Sequence, residues 1–144
     1  MPMIKLKHVI LVDSRIEKVW KIFSDINDWP KINTTFKYAK PIGNFKWKAN
    51  HQFEFFSDYG IIKSKSVCTI IECNPKKSVT WVGSKKFIIG KHSLFFKKVK
   101  NNIEVTNYEE FTGIGAYLLN FGLKSKIDKS LKLFLEGLKR EAEK

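Results

Sequence analysis

From Thr35 to Phe111 the chain keeps strand-like alternation with almost no interruption. Six segments rich in β-branched and aromatic residues follow one another: Phe36–Lys40, Gln52–Ser57, Ile61–Cys73, Ser78–Gly83, Phe87–Val99 and Ile103–Phe111. Turn-forming clusters separate most of them: Pro41-Ile42-Gly43-Asn44, Asp58-Tyr59-Gly60, Asn74-Pro75-Lys76-Lys77 and Lys100-Asn101-Asn102. Connections this short join antiparallel neighbours, because a parallel pair needs a crossover of roughly a dozen residues or more. The middle of the chain therefore reads as an antiparallel meander.

Helical patterns flank it. Lys5 to Val12 reads as a first strand that stops at Asp13-Ser14. Ser14 and Glu17 have the spacing of a capping box, and the helix they open is expected to run to about Ile26. Ile16, Val19, Trp20 and Phe23 recur at helical spacing and define its buried face. Pro30 disfavours helix at Trp29, so the helix is expected to break there, with a short helix or turn over Pro30 to Asn33. The last third reads as one long helix from just after Gly113 to the C-terminus. Its apolar stripe includes Ile114, Leu118, Phe121, Ile127, Leu131, Phe134, Leu135 and Leu138. Gly122 within it marks a bend or a close contact. The sheet face and the helix stripe both need cover, so the expected fold is α+β: a curved antiparallel sheet of about seven strands wrapped around the C-terminal helix. A strongly curled sheet cannot touch the helix everywhere, and an interior cavity results.

Composition narrows the class. With 144 residues and no repeat or linker, residues 1–144 read as a single domain. A hydrophobic content of 43% excludes a disordered chain. No apolar run approaches the roughly 18 residues of a membrane span, and the His8–Val12 stretch is too short for a signal-peptide core. The expectation is a cytoplasmic protein. Cys68 and Cys73 make no disulfide framework, and His8, His51 and His92 are scattered, so neither metal nor cofactor is expected.

The net charge is +13, from 27 Lys+Arg against 14 Asp+Glu, yet only Arg15 and Arg140 are arginine. A reader of nucleic acid usually relies on arginine for bidentate contacts, so the spread lysines read as a solvated surface. Transient attraction to an acidic membrane surface at low salt stays open.

The first strand and helix, Val9-Ile10-Leu11-Val12-Asp13-Ser14-Arg15-Ile16-Glu17-Lys18-Val19-Trp20, with Phe23, Asp25 and Trp29-Pro30, resemble the opening of the START-like superfamily, also called SRPBCC. This superfamily includes birch-pollen-allergen-like proteins, polyketide cyclases and lipid-transfer domains. Gly90-Lys91-His92-Ser93-Leu94-Phe95-Phe96, then Val105-Thr106-Asn107-Tyr108-Glu109-Glu110-Phe111-Thr112-Gly113, are similar to the final strands and helix entry of its small bacterial members. The resemblance implies the helix-grip fold and a ligand cavity. It does not fix a chemistry, because the superfamily hosts carriers, cyclases, hydrolases and regulators.

Alternation proposes what faces such a cavity. His92, Leu94 and Phe96 share one face, and Asn107, Glu109 and Phe111 share another with Ile103 and Val105. His92, Asn107 and Glu109 are thus polar groups on otherwise apolar faces, and each needs a partner or a ligand. They either orient a ligand, act on it as acid and base, or are satisfied by protein groups and water. Phe53, Phe55 and Trp81 are expected as wall residues, and Tyr117, Leu118 and Phe121 near the entrance. Aromatic density with few polar groups favours an apolar or aromatic small molecule over a sugar or nucleotide. No phosphate loop, nucleophile elbow or metal-binding helix doublet is present in the sequence. The leading expectation is a module that binds a lipid- or polyketide-like molecule. The alternatives are a cyclase or dehydratase acting on such a molecule, and a basic surface module that meets a membrane, nucleic acid or protein.

Overall fold

Ile4, Leu6 and Val12 alternate with exposed Met3, Lys5, Lys7, Val9 and Leu11, and this period of two makes strand β1 (Met3–Val12). The computed structural model describes residues 3–60, 62–85, 87–116 and 122–144. After β1 come helix α1 (Ile16–Ser24), a 3-10 turn (Ile26–Asp28) and helix α2 (Trp29–Ile32). Strands β2 (Phe36–Pro41), β3 (Gln52–Asp58), β4 (Lys63–Asn74), β5 (Ser78–Lys85), β6 (Ile88–Val99) and β7 (Asn102–Thr112) follow, and helix α3 (Leu123–Ala142) closes the chain. The strands form one seven-stranded sheet in the order β1-β7-β6-β5-β4-β3-β2, every pair antiparallel. The sheet curves around α3 in the helix-grip arrangement expected from the sequence.

Three local expectations are corrected. The Ser14–Glu17 capping box does not form: the N-cap of α1 is Arg15 and no side chain caps it. Starting one residue late leaves Glu17 at the second helical position, one short of the place from which it could reach back. Trp29 is helical despite the following proline, with φ −54° and ψ −36°. Its burial and the bond from its indole Nε1–H to the Phe23 carbonyl, at 2.7 Å, outweigh the local preference. Finally, α3 begins at Leu123, not after Gly113. Gly122 is its N-cap in the left-handed region at φ +96°, a conformation that glycine adopts without a Cβ clash. Ile114, expected on the helix stripe, is 68% exposed. Leu118 and Phe121, also placed on that stripe, lie outside the described residues.

The interior divides in two. Phe23, Trp29, Phe53, Trp81, Phe134 and Leu138 belong to a dense aromatic cluster beneath α1, α2 and the C-terminal half of α3. Full burial of each large side chain contributes roughly 1.5–3 kcal/mol. A smaller cluster, Ile4, Leu6, Ala116, Ile127 and Leu131, sits under the first half of α3. Polar ties hold the helix over the sheet. Asn33 Nδ2 donates to the Ser130 carbonyl at 2.8 Å, and His8 Nε2 meets Asp128 Oδ1 at 2.7 Å. Gly137 lets α3 touch α2: a Cβ there would stand 1.9 Å from the Ile32 carbonyl oxygen.

Candidate functional site: a cavity with a buried acid

Between the two clusters lies a cavity of about 370 Å³. Strand register explains it. Phe53, Cys68, Gly83, Gly90 and Phe111 stand in one row across the inner face of β3 to β7. The three central members carry little or no side chain, so the row has bulk at its ends and a gap in its middle. In the next row, which runs Ile70, Trp81, His92, Glu109, the last three supply one wall of the gap. Ser64 and Ser66 of β4 line the opposite side with Ser57 and Phe55 of β3, and Ile127, Leu131 and Phe134 of α3 form the roof. The volume falls at the lower end of the roughly 300–1,000 Å³ usual for small-molecule sites.

The polar end is built on β6 and β7. His92 Nε2 donates to Asn107 Oδ1 at 2.5 Å, so its Nδ1 carries the lone pair and faces Glu109 Oε2 at 3.5 Å. The His92 ring also lies against Trp81, with centroids 4.5 Å apart. Burial pushes the Glu109 carboxyl up to about 8 and pulls the His92 imidazole down to about 4, the bond to Asn107 partly offsetting the latter. Close together, they are therefore an uncharged acid and an uncharged base at neutral pH, not an ion pair. Tyr59 and Cys68 line the same space, and burial drives each up to about 12. Glu109 reinforces the rise at both, so neither phenolate nor thiolate forms near neutrality. Among the described residues the buried Asn107 Nδ2, which lies behind His92, has no hydrogen-bond partner, and the buried Ser57 Oγ, which lines the cavity, has only the Tyr59 phenol as a partner. Among the described residues no three His, Cys, Asp or Glu side chains converge as metal ligands would.

The family described as polyketide cyclase / dehydrase and lipid transport matches residues 3–143. The chain belongs to this family. Among curated proteins none matches it in sequence. Solved structures share its fold at low identity. The chain is similar to a hypothetical protein from Helicobacter pylori, with 16% identity, a TM-score of 0.83, and 96% of this chain and 88% of that one covered. It is similar to the Zhui aromatase/cyclase from a Streptomyces species, with 10% identity, a TM-score of 0.84, and 99% and 94% covered. It is also similar to a START superfamily protein from Mycobacterium smegmatis, with 9% identity, a TM-score of 0.75, and 96% and 97% covered. Among the described residues no helix is long and apolar enough to cross a membrane, which leaves strand-borne crossing unaddressed.

Within this polyketide cyclase / dehydrase and lipid transport fold, the residues singled out from the sequence separate into groups. His92, Glu109, Phe55 and Trp81 line the cavity. Asn107 points inward but is fully buried behind His92 and touches the cavity only through it. Phe53 and Leu94 face inward in the packed half, fully buried, and the cavity wall does not include them. Phe96 faces a separate cleft, whose rim carries Arg15, Lys76, Lys77, Lys97 and Lys98. These three were expected as wall residues because alternation assigns a face. It does not say which stretch of that face stands over open space. Tyr117, Leu118 and Phe121 lie outside the described residues. Sequence reasoning did not single out Tyr59 and Ser57 as site residues. Both sit where β3 enters its turn, and a hydroxyl at a strand end carries no signal of its own.

Proposed function

We propose that this protein binds a small apolar or aromatic molecule between its sheet and α3. One observation carries the reading: a cavity of about 370 Å³ lies between two hydrophobic clusters, with walls of Trp81, Phe55, Phe111 and Leu131 and the His92–Glu109 pair at one end. Apolar walls supply affinity, and a few placed polar atoms fix orientation. The family, described by cyclase / dehydrase activity and lipid transport, supports the same substrate class. The test is to purify the protein, extract it with organic solvent, and analyse the extract by mass spectrometry. Displacement of a hydrophobic fluorescent dye by a lipid and polyketide panel runs alongside. A stoichiometric bound species or specific displacement is expected. An empty extract together with no displacement overturns the reading.

A second reading, catalysis on that molecule, is favoured by the Glu109–His92 geometry. A protonated carboxyl beside an imidazole lone pair can give a proton to a carbonyl oxygen and take one from the adjacent carbon. On this reading Glu109→Gln stops turnover of a bound β-keto compound without stopping its binding.

A further inference from the structure

The chain has 27 Lys and Arg side chains, and none of them is among the described residues that line the cavity. The one carboxyl among those lining residues is Glu109, with 15% of its side chain exposed. Among the described residues around it, none brings a positive charge. His92 on β6 faces it through a bare nitrogen, Cys68 on β4 and Tyr59 beyond β3 offer neutral groups, and Leu6 is its neighbour on β1. From α3 the lining side chains are Leu123, Ile127, Ser130, Leu131 and Phe134.

The polar atom that faces Glu109 is an acceptor: His92 Nδ1 has a lone pair because Nε2–H is committed to Asn107. Glu109 itself becomes a strong acceptor once it loses its proton. Trp81, Tyr59 and Phe111 line the same cavity, and aromatic rings attract cations.

We infer that the cavity takes an amine: an apolar or aromatic frame carrying an ammonium group seated against Glu109, with the neighbouring His92 Nδ1 as its further acceptor. The inference rests on the cavity reading above and deepens it. A carboxylate or phosphate ligand would stand beside a carboxyl with no cation to pair it. A neutral ligand would hydrogen-bond the same groups without forming an ion pair. An ammonium gains an ion pair shielded from water and the attraction of the rings together. The proton balance is simple. The Glu109 carboxylic acid loses its proton to solvent, the ammonium keeps its own, and carboxylate and ammonium remain paired.

The test uses the whole protein and three probes on one frame: 2-naphthylethylamine, 2-naphthylethanol and 2-naphthylacetic acid. Titration calorimetry at about pH 7 in phosphate and in Tris reads affinity and proton release together. The expected result is the amine binding at least about tenfold tighter than the alcohol, the acid binding weakest, and about one proton released per amine. Amine affinity should rise by up to about tenfold per pH unit as pH climbs towards 8. Glu109→Gln keeps the shape of the protonated acid, so it should fold, retain the alcohol and lose the amine preference. If the alcohol or the acid binds as tightly as the amine, the inference is overturned while the cavity reading stands. If none of the three binds, the inference is also overturned. The cavity reading falls only if solvent extraction and dye displacement come back empty as well.

Discussion

His92 presents its Nε2–H to Asn107 and its bare Nδ1 to Glu109, whose Oε2 stands 3.5 Å away. The pair exchanges no net proton with the unfolded chain over a broad range. Folding raises Glu109 from 4.5 to about 8 and lowers His92 from 6.5 to about 4. Between 4.5 and 6.5 the folded pair keeps its proton on Glu109, and the unfolded pair keeps it on His92. The count is the same wherever the proton resides within the folded pair.

Stability should therefore be flat between about pH 4.5 and 6.5 as far as this pair is concerned. The contribution of Glu109, whose pKa is raised, is complete below 4.5 and is lost as pH rises through 8. That of His92, whose pKa is lowered, is complete above 6.5 and is lost as pH falls through 4. From pH 6.5 to 8 only the Glu109 slope remains, about 2 kcal/mol in all. Urea unfolding across this range should show the alkaline decline in the native protein and its absence in Glu109→Gln. An identical decline in both proteins would show that Glu109 is not its source.

Gly83 should be the cheapest place to shrink the cavity. A Cβ there would meet Cys68 Sγ at 3.5 Å and Ser66 Oγ at 3.6 Å, both ordinary contacts. Gly83→Ala is expected to leave stability unchanged or raise it by about 0.5–1 kcal/mol, because alanine restricts the unfolded chain. It should also weaken dye or ligand retention severalfold. Calorimetric melting and dye titration read the two effects separately.

Gly137 behaves in the opposite way. Its missing side chain is where α3 meets the α2 backbone, and the Ile32 carbonyl cannot move aside as a side chain would. Gly137→Ala should cost about 3 kcal/mol or more by equilibrium unfolding. Gly122→Ala serves as the comparison. Nothing lies within 4 Å of a Cβ there, so only the left-handed φ is strained, at about 1 kcal/mol.

The architecture was legible because its signals are periodic. The alternation of β6 and β7 correctly placed Leu94, Val105 and Asn107 inside. Signals that hang on a single residue fared worse. Ser14 fits a cap one position before the real one, and Pro30 follows a tryptophan whose burial overrides the usual rule. The start of α3 was misplaced because residues 114–116 share the apolar composition of the helix while Gly122 sets its first turn. In the site, the pairing of His92 with Glu109 followed from their shared inward faces. The roles of Cys68, Gly83 and Gly90 depend on cross-strand register, which a single sequence does not specify.

The row of Cys68, Gly83 and Gly90 has a consequence for how such a scaffold diversifies. The aromatic cluster that secures the fold also supplies cavity walls, Trp29, Phe36, Cys68, Trp81 and Phe134 among them, but Gly83 and Gly90 belong to neither hydrophobic cluster. Exchanges at those two positions can resize the chamber without loosening its foundations. Descendants of this chain could thus change tenant many times while remaining recognisably the same house.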